Sequence, residues 1–154
     1  MKKSSVSLLI CLFLIVLAFT GCQEQSKKTA PPLGEAAEKA LADRQSLVAY
    51  TADDLADLTG ILPEDYTEAL FLVGSDSLSG REVIAVRAKD AGCLNKVTEA
   101  LQNYLSQRME ETRNYLPDAY QLQSQAKVES KHLTAVLIVG AQSAEETKAF
   151  LAGE

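Results

Sequence analysis

Few side chains in this 154-residue sequence are of types that perform chemistry, and their spacing limits what that chemistry could be. There are three cysteines, Cys11, Cys22 and Cys93, and one histidine, His132. One imidazole without a cysteine pair does not make a structural zinc site, so no metal and no cofactor is expected. A hydrolase triad would have to use His132, which falls in an expected two-residue turn, and there is no Gly-x-Ser-x-Gly elbow. The pairs Asp53-Asp54, Glu110-Glu111 and Glu145-Glu146 carry groups suited to general acid–base work. Neighbours on a helix diverge by about 100°, so such pairs do not converge on one substrate atom. Helix starts and solvated faces account for them. The run Gly74-Ser75-Asp76-Ser77-Leu78-Ser79-Gly80 lacks the lysine of a phosphate loop and the spaced carboxylates of a calcium loop. It reads as a hairpin connection, with ligand contact as the other reading. Tyr104, Tyr115 and Tyr120 lie along the longest expected helix and its exit, and they are the candidate ligand contacts. Two readings stay open for them: core rings with a hydroxyl at the surface, or an aromatic platform for a sugar or peptide. Cys93 stands at that helix's start, where a thiol pKa can fall; a small buried apolar residue is the alternative.

Cys22 is set apart by what precedes it. Lys2 and Lys3 give a positive start, residues 8–17 are apolar, and Ala18, Thr20 and Gly21 are small or short. This order is that of a secretory leader, with the charge retained on the cytoplasmic side. The apolar stretch from Val6 to Phe19 reaches roughly 21 Å as a helix, against about 30 Å for a hydrocarbon core. It suits a leader better than a membrane span. Phe19-Thr20-Gly21-Cys22 resembles the lipobox of bacterial lipoproteins. The resemblance implies cleavage between Gly21 and Cys22 and a diacylglyceryl group on the Cys22 sulfur. Two acyl chains suffice for stable residence in a bilayer.

From Cys22 onward, 13 basic residues stand against 21 acidic ones, a net charge of −8. Phosphate backbones and anionic headgroups repel such a surface, so nucleic acid is not an expected partner. With Cys11 in the leader and Cys22 carrying lipid, Cys93 has no intramolecular disulfide partner.

The elements that would position these groups follow from periodicity. Residues 1–21 are the leader, 22–34 a polar spacer closing on Pro31-Pro32 and Gly34, and 35–154 one domain with its core at about 50–152. Residues 35–48 read as an Ala-faced helix that packs lightly. Thr51 caps a helix that stops at Gly60. Strands are expected at 67–73 and 82–88, then a long helix ending near Leu116-Pro117 whose Glu99, Gln102, Asn103, Gln107, Glu110 and Arg113 meet water. Strands at 126–130 and 133–139 and a helix capped by Ser143 complete a ββαββα order. The fold class is α+β: an antiparallel sheet of about four strands packed by helices.

Asp54-Leu55 before Gly60-Ile61, Glu82-Val83-Ile84-Ala85-Val86 followed by Lys89-Asp90, and Tyr115-Leu116-Pro117-Asp118-Ala119-Tyr120 resemble a group of clostridial and related lipoproteins, the domain of unknown function DUF4358. The resemblance covers about two-thirds of the chain. It implies a lipid-anchored product on the outer face of the cell membrane, and it brings no site residues. The expected function is a non-catalytic binding or accessory module of the envelope, with the bilayer and an envelope protein or peptide as partners. An envelope hydrolase working through acidic residues and a self-associating structural protein are the alternatives.

Overall fold

The computed structural model describes residues 30–154. In chain order the elements are α1 (Leu33–Ala40), β1 (Leu47–Ala49), α2 (Ala52–Thr59), β2 (Tyr66–Gly74), β3 (Glu82–Ala88), α3 (Ala91–Thr112), α4 (Pro117–Gln125), β4 (Val128–Lys131), β5 (Thr134–Val139) and α5 (Ser143–Ala152). Short 3-10 turns at Arg44–Ser46 and Pro63–Asp65 lead into β1 and β2. The strands form one antiparallel sheet in the order β1-β2-β3-β5-β4, so the class is α+β.

Side-chain alternation along the strands sorts the core into two halves. Leu72, Val83, Ala85, Val136 and Ile138 face α1 and α5, where they meet Leu33, Ala37, Phe150 and Leu151. Phe71, Ile84, Val86, Leu137 and Val139 face the other way, against Leu55, Val97, Leu101 and Tyr104 of α2 and α3. Helices thus cover both faces, and all six residues of β5 are buried, as its continuous apolar run requires. The edges are a three-residue β1 and a β4 bearing Glu129 and Lys131, two ordinary ways of discouraging further strand pairing.

Local chemistry explains the helix ends. Thr51 Oγ1 accepts from the Asp54 N–H while the Asp54 carboxylate accepts from the Thr51 N–H, a capping box, and Gly60 ends α2 in the left-handed region. Asp90 caps α3 through the Cys93 N–H. The five polar residues of α3 expected to meet water, and Arg113 just after its end, are all exposed.

Five expectations are corrected. The helix expected over 35–48 starts earlier and ends at Ala40. Leu33 is fully buried, so the last residues of the expected spacer belong to the domain, and α1 packs into the core through Leu33, Ala36 and Ala37. Leu47-Val48-Ala49 pair with Gly74, Val73 and Leu72, making a fifth strand where backbone pairing to β2 overrides helical propensity. Leu116-Pro117, expected as a stop, also starts α4, because proline at a helix's first turn forfeits no hydrogen bond. Ser143 is the first residue of α5 and makes no capping bond.

Gly80 (φ +66) lets the β2–β3 connection touch α4: a Cβ there would lie 2.6 Å from Ala119 Cβ. Gly60 (φ +76) has open space around it. Gly60→Ala should therefore cost only the left-handed penalty, roughly 1–2 kcal/mol, and Gly80→Ala clearly more, because α4 must also move. Urea denaturation of the two variants checks the order; equal losses would refute the close contact.

Candidate functional site

Glu82 opens β3 on the α3 side of the sheet, where the pattern would otherwise place an apolar residue. It is almost fully buried. Tyr104 Oη donates to its Oε2 at 2.9 Å, and Arg108 Nε and Nη2 both donate to its Oε1 at 3.1 Å. Tyr104 and Arg108 are one helical turn apart on α3, so one face delivers both. Arg108 Nη1 also donates to Glu111 Oε2 at 2.8 Å, and Gln107 Nε2 to Glu111 Oε1 at 3.0 Å. Burial, then the Glu82 charge, pushes the Tyr104 phenol far above its usual range. Gln107 and Arg108 hold the Glu111 carboxyl below the ordinary carboxylate range. Well-packed apolar residues of similar volume would hold the fold as well as such a buried pair. A charged group retained in that position marks a candidate site.

The cluster forms one end of a cleft of about 190 Å³. Its wall is a series of rings packed edge to face, Tyr50 on Phe71 at 5.0 Å and Phe71 on Tyr104 at 6.3 Å between centroids. Leu58 of α2 and Val73 of β2 complete the lining. Tyr50 and Leu58 are each nearly half exposed, so the apolar side of the cleft is open to solvent.

A family model described as a domain of unknown function, DUF4358, matches residues 40–140. The chain belongs to that family. No curated protein and no solved structure matched it. The DUF4358 segment holds all five strands and every residue of the cleft, and it leaves out α5 and nearly all of α1.

Within the DUF4358 segment the three candidate tyrosines do not form one platform. Tyr104 lies in the core and reaches the cleft with its ring and hydroxyl. Tyr115 is highly exposed beyond the end of α3, and Tyr120 of α4 lies under the Arg113 guanidinium, 5.8 Å from its ring centroid. Neither lines the cleft. Leu116-Pro117 turns the chain between α3 and α4, which is why the spacing of the three misleads. Sequence reasoning missed Glu82, Arg108 and Tyr50, since the first two lie 26 residues apart and meet only when β3 packs on α3.

The other residues singled out are accounted for by the fold. His132 is exposed with a positive φ of 52° at the tip of the β4–β5 hairpin. The turn is His132-Leu133, one residue later than expected. Cys93 is half-buried, and burial, then Asp90, raises its thiol pKa. Residues 75–81 connect β2 to β3, with Asp76 Oδ1 accepting from the Leu78 N–H. Among the described residues no group of three or more His, Cys, Asp or Glu side chains is placed to hold a metal ion, and no helix is long and apolar enough to cross a membrane.

Two further arginine clusters, at the two ends of β3, tie elements together. Arg81 Nε and Nη2 bind Asp43 at 3.0 and 2.8 Å, Nη2 also binds Glu146 at 2.9 Å, and Nη1 donates to the Val139 carbonyl at 3.0 Å. Burial raises the Glu146 carboxyl pKa, whereas the Arg81 hydrogen bond lowers that of Asp43. At the other end of β3, Arg87 joins Glu68, the Pro31 carbonyl and the Glu154 side chain. Cys22, Gly21, the leader 1–21 and the spacer up to residue 29 lie outside the described residues.

Proposed function

We propose that this DUF4358 protein is an extracytoplasmic lipoprotein, anchored through diacylglyceryl-Cys22, that acts as a non-catalytic binding module of the envelope through its aromatic and charged cleft. The observation that carries the anchoring is the leader order, Lys2-Lys3, an apolar run and Phe19-Thr20-Gly21-Cys22. The fold is compatible with it. The chain joins the domain at Pro31, nine residues after Cys22, and is held there by Arg87 near the end of β3. Glu82 and the charged end of the cleft are at the beginning of β3, roughly 17 Å away along a strand. A tether at one end leaves the cleft at the other.

The hydrogen bonding of the carboxylates supports binding over hydrolysis. Both carboxylates of the cleft are engaged by the chain's own donors, Glu82 by Tyr104 and Arg108 and Glu111 by Gln107 and Arg108, so neither is free to exchange a proton with a substrate. Mass spectrometry of the membrane fraction from producing cells tests the anchoring. The expected N-terminal peptide begins at Cys22 and carries the diacylglyceryl mass, and Cys22→Ser should release the protein from membranes. An intact leader, or an unmodified thiol at position 22, overturns the reading.

A further inference from the structure

We propose that the cleft receives an alkylammonium group on an aliphatic stem, either the end of a basic side chain or a small free amine. The proposal rests on the cleft being a binding site, and it adds the chemistry of the ligand.

The lining has two halves. One half is hydrocarbon and ring: Leu58, Val73 and the exposed part of Tyr50, backed by Phe71. Methylene groups gain most from such a surface, and the negative face of an aromatic ring attracts a cation that reaches it. At the charged half, buried Glu82 and half-exposed Glu111 face the single guanidinium of Arg108, so one negative charge is uncompensated among these three. Hydrogen-bonding capacity remains there too. Each carboxylate oxygen can accept more than one bond, whereas Glu111 Oε1 and Oε2 each have one donor, Gln107 and Arg108.

An anion entering the cleft would meet two carboxylates and find the cation already occupied. A neutral polyol would leave the hydrocarbon half poorly used. A stem of four or five methylenes ending in a positive head matches both halves, and about 190 Å³ is room for one such group and little more. The whole domain's acidic balance adds a long-range attraction of the same sign.

The test uses the full chain in neutral detergent micelles with labelled leucine and valine methyl groups, titrated with 1,5-diaminopentane at constant ionic strength. Pentan-1-ol and pentanoate are the neutral and anionic controls. The diamine is expected to shift the Leu58 and Val73 methyl signals saturably, with a Kd at least tenfold below that for pentanol, and pentanoate to shift neither. Glu111→Gln should weaken diamine binding at least fivefold, and Tyr50→Leu should weaken it while keeping the domain folded by methyl dispersion. A parallel titration with acetyl-Gly-Lys-Gly-amide separates the sources: tighter binding of the peptide assigns a basic side chain, tighter binding of the diamine a free amine. Equal shifts with pentanol, or an unchanged Kd in both variants, would overturn the proposal. These readouts do not depend on whether Cys22 is lipidated, so failure here leaves the anchoring reading to its own test.

Discussion

Replacing Arg81 by methionine is expected to remove about 3 kcal/mol of stability, a large share of the 5–15 kcal/mol typical of a domain. Arg81 is the meeting point of four segments: Asp43 after α1, the β2–β3 hairpin, the Val139 carbonyl and Glu146 of α5. Its side chain is 10% exposed and that of Glu146 8%, so neither is repaid by water when the other is lost. Asp43 is 43% exposed and would resolvate, which limits the damage. Glu146 is the main source of the cost, because its Oε2 already has no partner in the folded chain. The double variant Arg81→Met/Glu146→Leu should then recover more than half of the loss, since it removes the stranded carboxylate. Urea unfolding of wild type, the single variant and the double variant measures both quantities. A single-variant loss under about 1 kcal/mol, or no recovery in the double, would show that the cluster is not a buried clasp.

Leu33→Ala is the second large effect, with an expected loss of about 2–5 kcal/mol. In the sequence Leu33 closes a polar stretch and follows two prolines, so it reads as spacer. In the fold it is fully buried within the cluster that contains Leu72 and Phe150, and its N–H donates to Glu68 Oε1 at 2.7 Å. Leu78→Ala is the control, because Leu78 is 64% exposed in the β2–β3 loop and should change stability by less than about 0.5 kcal/mol. A fragment starting at residue 35 should show the Leu33 defect as well, whereas one starting before Pro31 should not. Similar midpoints for the two leucine variants would refute the placement of α1.

Why the sequence suggested otherwise is a matter of range. The hairpin strands, α2 with its Thr51 cap and Gly60 stop, and α3 with its wet face were legible because their signals are local and periodic. The α+β class followed from them. Strand β1 was not legible: three residues carry no periodicity, and only the facing Gly74, Val73 and Leu72 make them a strand. Helix α4 was hidden by Pro117, since the same residue ends one pattern and begins the next. The site was harder still. Tyr104 stood out as an aromatic on a helix, but its partner Glu82 looked like a polar strand boundary, and Tyr50 like a linker residue beside a cap. Tyr115 and Tyr120 are near Tyr104 in the chain, a proximity that the turn at Leu116-Pro117 cancels.

One consequence of the two arginine clusters is mechanical. Arg87 grips the chain at Pro31, ahead of α1, Glu68 grips it at Leu33, the first residue of that helix, and Arg81 grips Asp43 behind it. Tension applied at residue 30 therefore passes first into the side chains of β2 and β3, the strands at the middle of the sheet, before it can lift the helix. Several bonds must give way together under such a load, where a helix held at one end alone would peel turn by turn.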